Sequence, residues 1–180
     1  MLRFFVLFIV ILVALFAAEL TSPVQSAIVA PWTEALVRIS ANFITFFDPN
    51  VAVFGNVLQS TTNGFALSVR SGCNGVEAAM ILIAAMLAFP ASWKHRAIGI
   101  LAGLFAVQLL NIVRVISLFY LGQWNMTVFD WAHSYMWPAL IMLDVLIVWM
   151  IWIRTLPRVS SDLGRSPEGA DAGLQQATAR

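Results

Sequence analysis

The fold is decided by residues 97–121, which read AIGILAGLFAVQLLNIVRVISLFYL. This run contains a single charged residue, Arg114, and is long enough to cross the hydrocarbon core of a bilayer as a helix. Of the 180 residues, 61% are hydrophobic and 11% are charged. Soluble domains average about 45–50% apolar and about 25% charged residues. The excess lies in long apolar runs, which predict membrane helices.

Three further apolar runs complete a predicted set of four transmembrane helices, at about 4–20, 75–89 and 135–153. The first run also has features of a signal peptide, with Arg3 in front and small residues behind. We interpret it as an uncleaved anchor, because its length of about 17 residues reaches the lower limit for spanning. Either interpretation delivers the following segment to the outside.

Basic residues predict the orientation of the spans. With four spans, the basic residues that flank them lie on one side, which the positive-inside rule makes cytoplasmic. These residues are Arg3, Lys94, Arg96, Arg154 and Arg158. We therefore expect a multi-pass protein of the cell inner (cytoplasmic) membrane. Residues 21–74 and a loop at 122–134 should face the periplasm.

The segment between the first two spans is predicted to contain an amphipathic helix and a β-hairpin. Apolar residues recur at helical spacing and predict a helix at the membrane interface. They are Trp32, Leu36, Ile39, Phe43 and Phe47. Strand-like runs at 51–58 and 65–70 flank Asn63-Gly64, a dipeptide typical of hairpin turns. The predicted fold is an all-α polytopic membrane protein with this external helix and one small hairpin.

Composition also limits the domain plan and the classes of partner. We expect residues 1–158 to form a single membrane-embedded domain, and residues 159–180 to form a disordered cytoplasmic tail, since large apolar side chains are few there. The net charge of +1 and the scattered basic residues argue against a nucleic-acid partner. One cysteine excludes an internal disulfide and a Cys-rich metal site. We expect no metal and no cofactor.

Cys73, the single cysteine, stands in the motif Ser-Gly-Cys-Asn-Gly at 71–75, just before the second span. Ser71 and Asn74 are both candidate helix caps, and Asn74 with Glu77 resembles a capping box. In either case the thiol lies near the positive end of a helix dipole, which favours the reactive thiolate. The alternative is a small buried hydrophobic residue of a membrane helix.

Arg114 lies inside the third span, about 10 Å below its outer end at a rise of about 1.5 Å per residue. An arginine at this depth costs about a few kcal/mol unless it is paired or faces water. It is either a fixed cation aimed at a thiolate, an oxyanion or a substrate carbonyl, or a side chain that snorkels to the outer headgroups. Asn111, one turn below, is placed to hold Arg114 through a hydrogen bond.

His133 lies at the outer end of the fourth span among aromatic residues. It is either an interfacial anchor or, with a cysteine at the same membrane level, a general acid and base, since its ordinary pKa is near neutrality. Glu77 is predicted either to pair with Arg114 or to orient the site. Asp144, deep in the fourth span, has no predicted role beyond helix packing.

Three different spans thus contribute a nucleophile, a cation and a proton shuttle to one predicted face of the membrane. The predicted catalytic residues are Cys73, Arg114 and His133, and the supporting residues are Asn111, Glu77 and Asn74.

These motifs resemble the exosortase/archaeosortase family. The matching features, in order, are Ser-Gly-Cys-Asn-Gly at 71–75, Asn-x-x-Arg-Val at 111–115, and His133 before the last span. The resemblance covers about 51–152, and the short form with few spans is most similar to the exosortase H subgroup. It implies a membrane cysteine protease and transpeptidase.

The resemblance also implies partners. Members recognise exported proteins through a C-terminal signal made of a short motif, a transmembrane helix and a basic cluster, and the subgroup motif is similar to Ile-Pro-Thr-Leu. They are thought to cleave near the motif and to transfer the protein to a surface acceptor, such as a glycan or a lipid. Membrane lipid is the other expected partner. The alternative function is a non-enzymatic transporter subunit or assembly factor that uses Arg114, Glu77 and Asp144 as a polar pathway.

Overall fold

The computed structural model describes residues 2–156, so the predicted tail at 159–180 and the end of the predicted domain 1–158 lie outside the described residues. The helices are α1 (Leu2–Glu19), α2 (Ser22–Val24), α3 (Ala30–Thr45), α4 (Val76–Ala88), α5 (Trp93–Trp124), α6 (Met126–Trp131) and α7 (Trp137–Thr155). π-Helical turns at Gln25–Val29 and Ala132–Met136 join α2 to α3 and α6 to α7. The strands are β1 (Val51–Phe54), β2 (Val57–Ser60) and β3 (Ala66–Ser68).

Three helical stretches are long and apolar enough to cross a membrane: Leu2–Glu19, Trp93–Trp124 and Met126–Thr155. The remaining predicted span is α4, an apolar helix of 13 residues. At about 1.5 Å per residue α4 is about 20 Å long, shorter than the roughly 30 Å hydrocarbon core. It packs against α1, α5 and α7. The prediction of an all-α polytopic membrane fold is confirmed, with α4 as its short helix.

The predicted outer loop at 122–134 is largely helical instead. α5 continues to Trp124, and Asn125, with φ −156° and ψ 116°, interrupts the helical backbone before α6. The Asn125 side chain accepts hydrogen bonds from the backbone N–H groups of Thr127 and Val128, which caps α6. Hydropathy predicts where a chain leaves the membrane, whereas a helix continues beyond that point wherever its backbone bonds and caps permit.

The helix α3 has two apolar faces, and the predicted stripe is mainly the exposed one. The buried face includes Leu36 and Val37 and packs against the sheet and α5. Leu36 belongs to the predicted stripe, but Ile39 is 41% exposed, Phe43 55% and Phe47 83%. The buried face also contains the smaller residues Thr33, Ser40 and Ala41, which a search for large apolar side chains overlooks. The outward face is left uncovered by the described residues, as expected for a helix at a membrane interface.

The segment between α3 and α4 forms a three-stranded antiparallel sheet in the order β1-β2-β3, where the sequence predicts one hairpin. The predicted first strand at 51–58 is itself a hairpin in which Phe54 pairs with Val57. Gly55, at φ +60°, and Asn56 form its two-residue turn. A glycine at the first turn position adopts this φ without steric cost. The second hairpin joins β2 to β3 through the predicted Asn63-Gly64 turn.

Two apolar clusters hold these elements together. The outer cluster joins α3, the sheet and the outer part of α5, through residues such as Leu36, Leu58 and Phe119. The inner cluster joins α4, α5 and α7, through residues such as Leu82 and Trp152. Cys73 packs at the edge of the outer cluster, so the loop that carries it lies where the sheet meets the membrane helices.

Candidate active site

Cys73 lies on a tight loop between β3 and the start of α4. Its backbone N–H donates to the carbonyl of Arg70 at 2.9 Å, which folds the loop back on itself. Gly72 and Gly75 have φ values of +88° and +76°, a region that favours glycine. α4 begins at Val76, so the half-buried thiol lies just before a helix N-terminus.

The predicted capping box does not form. Gly75 is the cap residue of α4 and has no side chain to donate or accept, while Ser71 donates to Gln25 Oε1 at 3.3 Å. Glu77 Oε1 instead accepts a 2.6 Å hydrogen bond from the backbone N–H of Gly72. Glu77 therefore holds the loop beside Cys73, which is one of the two roles predicted for it.

Asn74 ties the loop to α3. Its side chain is fully buried, and its Oδ1 accepts from the backbone N–H of Val76 at 3.1 Å. Its Nδ2 donates to Thr33 Oγ1 at 3.0 Å, and Trp32 Nε1 donates to its backbone carbonyl at 3.4 Å. Because a buried amide without these partners would be costly, Asn74 keeps α3 and the cysteine loop in a single arrangement.

Arg114 reaches the cysteine from α5. The residue is only 4% exposed, and its Nη2 lies 3.3 Å from Cys73 Sγ. Within residues 2–156, the ion pair found joins Glu34 to Arg38 on the surface, so the predicted pairing of Arg114 with Glu77 is not observed. Nor does the side chain snorkel to the outer headgroups, because it is buried against the thiol. The geometry matches a fixed cation directed at sulfur.

Asn111 does not hold Arg114 by a hydrogen bond, contrary to the prediction. Its Nδ2 contacts Gln108 Oε1 at 3.5 Å, and both side chains pack beneath Gly75. A Cβ added to Gly75 would lie 2.9 Å from Asn111 Nδ2 and 3.0 Å from Gln108 Nε2. Gln108 is a site residue that the sequence reasoning missed. The sequence does contain a pattern that points to Gln108, since the polar residues 108, 111 and 114 recur at a spacing of three along a largely apolar helix.

His133 lies in the π-helical turn between α6 and α7. Its ring stacks on Phe129, with centroids 5.7 Å apart and an interplanar angle of 2°. Its Nδ1 is buried and has no hydrogen-bond partner among the described residues. The structure therefore brings Cys73 and Arg114 into contact, whereas no hydrogen bond of the described chain joins His133 to either of them. Its neighbour Ala132 is buried in the same apolar cluster that Cys73 borders.

Two cavities border the cysteine loop. A cavity of about 90 Å³ is lined by Gly72, Glu77 and Arg114, together with Pro138 and Ile141 of α7. A second cavity of about 400 Å³ is lined by residues before and at the start of α3, by Asn56 and by residues 69–71 after β3. Polar side chains contribute to its lining: Gln25, Thr33, Glu34, Asn56, Arg70 and Ser71. The neighbouring residues Ser71 and Gly72 thus line the polar cavity and the cavity beside Arg114, respectively.

Two acidic residues with buried groups remain outside these contacts. Asp144 has a buried Oδ2 without a hydrogen-bond partner among residues 2–156, so no bond is found for the helix-packing role that the sequence leaves to it. Glu19, which the sequence reasoning did not single out, is buried at the end of α1 with 6% exposure. Across the described chain, no three His, Cys, Asp or Glu side chains are grouped in a way that would hold a metal ion.

Comparisons with known proteins place the chain in a family. No curated protein and no solved structure matches it. The model of one family, described as transmembrane exosortase (Exosortase_EpsH), matches residues 2–156. The match runs from the first membrane helix through the cysteine loop to the end of α7, and so includes every residue of the candidate site. The chain therefore belongs to the transmembrane exosortase family.

Proposed function

We propose that this protein is a membrane cysteine transpeptidase that cleaves the C-terminal sorting signal of exported proteins and transfers them to a surface acceptor. The observation that carries the proposal is the buried 3.3 Å contact between Arg114 Nη2 and Cys73 Sγ. A buried arginine beside a lone thiol has little structural purpose, because an apolar side chain would pack there at lower cost. Membership of the exosortase family supports the same reaction class.

The first requirement of the reaction is a thiolate. Arg114 Nη2 lies within hydrogen-bond distance of Cys73 Sγ, and α4 begins three residues after Cys73. Arg114 has further N–H donors beyond the one directed at sulfur, and its Nε is buried without a partner among the described residues. These donors are available to an oxyanion that forms next to Cys73.

The reaction then proceeds in two steps. Cys73 gives its proton to His133 and attacks the scissile carbonyl, so that a C–S bond forms and Arg114 stabilises the oxyanion. The C–N bond breaks, His133 returns the proton to the leaving amine, and a thioester remains. An acceptor hydroxyl or amine, or water, next gives its proton to His133 and attacks the thioester. The C–S bond breaks, and the proton returns to Cys73 or to solvent.

His133 has no hydrogen bond to Cys73, so its role in this scheme requires a bound substrate or a bridging water. Hydrogen bonds between catalytic groups are often long without substrate and shorten when it binds. His133 Nδ1 has no hydrogen-bond partner among the described residues, and the stacked Phe129 ring limits the movement of the imidazole.

The proposed orientation puts the site outside the inner membrane, facing the periplasm. Lys94 and Arg96 lie at the start of α5 and Arg154 near the end of α7. Arg114 is 18 positions after Arg96, which is about 27 Å along the helix. Basic residues at one end of the bundle and the cysteine loop at the other support cytoplasmic termini. Reporter fusions after Arg96 should therefore read cytoplasmic, and fusions near Asn63 should read external.

The proposed substrates carry a short motif similar to Ile-Pro-Thr-Leu, then a membrane helix and a basic cluster. The motif side would bind in extended form along β3, which is an edge strand of the sheet and leads directly to the cysteine loop. Main-chain bonding to an edge strand suits a short motif, because it orients the peptide whatever its side chains are. The proposed acceptor is a glycan or a lipid of the cell surface.

The test uses an exported reporter protein that ends in such a signal, expressed with the full-length chain. Wild type should release the signal helix, and Cys73→Ala should leave the reporter uncut at equal enzyme abundance. A thiol reagent that cannot cross membranes should label Cys73 from outside and stop processing. Normal processing by Cys73→Ala would instead favour the non-enzymatic assembly factor.

A further inference from the structure

An apolar groove runs along the membrane face of α4. Both α1 and α7 pack against α4, and a space of about 310 Å³ remains between them. Ile81 and Ala85 of α4 line this space, and Glu77 lies one turn further out on the same helix. Because residues four apart share a helix face, these three side chains form one stripe on α4, of which Ile81 and Ala85 line the groove.

The walls of the groove are bulky and apolar. Phe4 and Phe8 of α1 form one wall, and Leu146 and Trp149 of α7 form the other. The cytoplasmic end is closed by aromatic contacts, since the Phe4 ring lies 6.1 Å from Phe89 and 6.3 Å from Trp149 between centroids. A molecule in the groove can therefore extend only outward or sideways into lipid.

The outer end of the groove leads to the cysteine loop. Met142 of α7 lines both the groove and the 90 Å³ cavity that contains Gly72 and Arg114. Glu77 lines that cavity as well. The stripe of α4 and the side chain of Met142 thus form a continuous surface from the middle of the membrane to the Cys73–Arg114 pair.

We propose that this groove seats the membrane helix of the substrate, the part that directly follows the scissile bond. The proposal rests on the proposed function. The groove lies at membrane depth, where a polypeptide must satisfy its own backbone hydrogen bonds, so a peptide occupant has to be helical. The stripe of side chains four apart offers a ridge that a second helix can pack against, and the small Ala85 lets its backbone approach.

The two cavities beside the loop give the substrate its direction. The space between the start of α3 and residues 69–71 is lined by polar side chains and receives the motif where it leaves β3, whereas the groove is apolar and accommodates the helix. The Ser71–Gly72 segment lies between this polar space and the 90 Å³ cavity that Met142 connects to the groove, because Ser71 lines the first and Gly72 lines the second. The peptide bond that lies over this segment is the one presented to Cys73.

A substitution that fills the groove tests the proposal, with a matched control. Ala85→Trp places an indole between α1 and α7, and Ala102→Trp places one in a different membrane-facing cavity of about 270 Å³ between α5 and α7. Ala85→Trp should lower processing of the helix-anchored reporter about tenfold or more at equal abundance, equivalent to about 1.4 kcal/mol. Ala102→Trp should process the reporter like wild type.

Crosslinking keeps the test decisive if Ala85→Trp fails to accumulate. Cys73 is the single cysteine, so Cys73→Ala provides a cysteine-free background. Leu146→Cys lies on the groove wall, and Leu101→Cys lies on α5 with the wild-type leucine 69% exposed. With copper phenanthroline, a reporter that carries one cysteine in its membrane helix should form a disulfide with the first variant and not with the second.

The outcomes separate this proposal from the proposed function. If wild type leaves the reporter uncut, the proposed function fails. If wild type cuts the reporter, but Ala85→Trp cuts it equally well and both cysteine variants crosslink alike, only the groove proposal is overturned. If Ala85→Trp accumulates an enzyme–reporter thioester instead of uncut reporter, the groove holds the acyl chain of a lipid acceptor, and the helix proposal is also overturned.

Discussion

The two halves of α5 are packed by different means. In the half that begins at Trp93, Gly99 and Gly103 face α7 and α4, and side chains from those helices fill the space, Trp152 over Gly99 and Leu82 over Gly103. In the half that ends at Trp124, apolar residues such as Phe119 pack in the outer cluster, but the buried positions also include Asn111 and Arg114, which contact the cysteine loop. The first half gains close packing of apolar surfaces, and the second also holds polar groups out of water at a cost.

This difference separates what stabilises the protein from what would act on a substrate. Small residues let membrane helices approach closely, so changes there should affect folding first. A buried arginine and a buried amide are expensive in a membrane, so their position is better explained by a reaction than by stability. If this division is correct, variants in the half of α5 that contacts the cysteine loop should lose turnover and keep their abundance. Variants in the half that contains Gly99 and Gly103 should lose abundance and keep their turnover.

The largest expected effect is that of Cys73→Ser. A hydroxyl keeps the size of the side chain, but it is a far weaker nucleophile without a strong base, so processing should fall to the level of Cys73→Ala. Abundance and membrane insertion should match wild type, because the loop is held by Asn74 and Glu77 instead. Measurable turnover by Cys73→Ser well above that of Cys73→Ala would argue against a cysteine nucleophile.

Arg114→Lys should have the next largest effect. Lysine keeps the charge but loses the planar fork that contacts Sγ and leaves further donors for an oxyanion. The expected loss is about 2.7–4 kcal/mol of transition-state stabilisation, or about 10²–10³ in turnover. Single-turnover processing at matched abundance measures it. Near-normal turnover would remove Arg114 from the reaction and return it to a structural role.

A pair of glycine substitutions tests the comparison directly. In Gly75→Ala, the residue stays at φ +76° and its new Cβ meets Asn111 and Gln108, so the cysteine loop must shift and turnover per folded molecule should fall. In Gly99→Ala, the new Cβ collides with the Trp152 indole, whose Nε1 donates to the His95 carbonyl at 3.0 Å. This overpacking should cost about 1–3 kcal/mol of stability.

The two variants are compared by thermal unfolding in detergent and by processing per folded molecule. Gly99→Ala should unfold at lower temperature and retain its specific activity, since Trp152 lies in the inner cluster, far from Cys73. If Gly99→Ala lowers specific activity as much as Gly75→Ala does, the two halves of α5 are coupled, and the proposed division of labour is wrong.

Parts of this arrangement are predictable from sequence, and the reason differs by element. The spans follow from hydropathy, which is a local property, whereas the orientation indicated by Lys94, Arg96 and Arg154 stays a prediction. The position of Cys73 and Arg114 at the outer face rests on that orientation and stays a prediction as well, as do their catalytic roles. The Gly55-Asn56 turn carried a hairpin signal of its own, but a continuous run of apolar residues around it suggested one strand.

The contacts of the cysteine loop could not be predicted in the same way. Asn74 Nδ2 donates to Thr33, a residue 41 positions away. Its Oδ1 accepts from Val76 N–H, and Glu77 accepts from Gly72 N–H, so neither of the two reciprocal bonds of a capping box is present. Gln108 and Asn111 pack against Gly75 because α5 crosses the start of α4 at this point, and that crossing depends on tertiary packing. Local patterns predict which residues are unusual, but their partners are set by the fold.

Glu77→Gln should have the smallest effect of the series. Glu77 Oε1 accepts a 2.6 Å hydrogen bond from the Gly72 N–H, and a glutamine oxygen can accept the same bond without the charge. Bonds to a charged acceptor are roughly twice as strong as neutral ones, so the loss should be on the order of 1 kcal/mol, about fivefold in turnover. Glu77→Leu should lower turnover further than Glu77→Gln does, because leucine offers no acceptor to the Gly72 N–H.

The ranking of Glu77→Gln against Arg114→Lys decides between two explanations of the buried arginine. If Arg114 is held chiefly by the charge of Glu77, the neutral glutamine should lower abundance as severely as any change at Arg114, since it would leave a buried cation unpaired. No such ion pair is found among residues 2–156. We therefore expect Glu77→Gln to keep its abundance and most of its turnover, while Arg114→Lys keeps its abundance and loses its turnover. Immunoblotting and processing, measured together for both variants, provide the comparison.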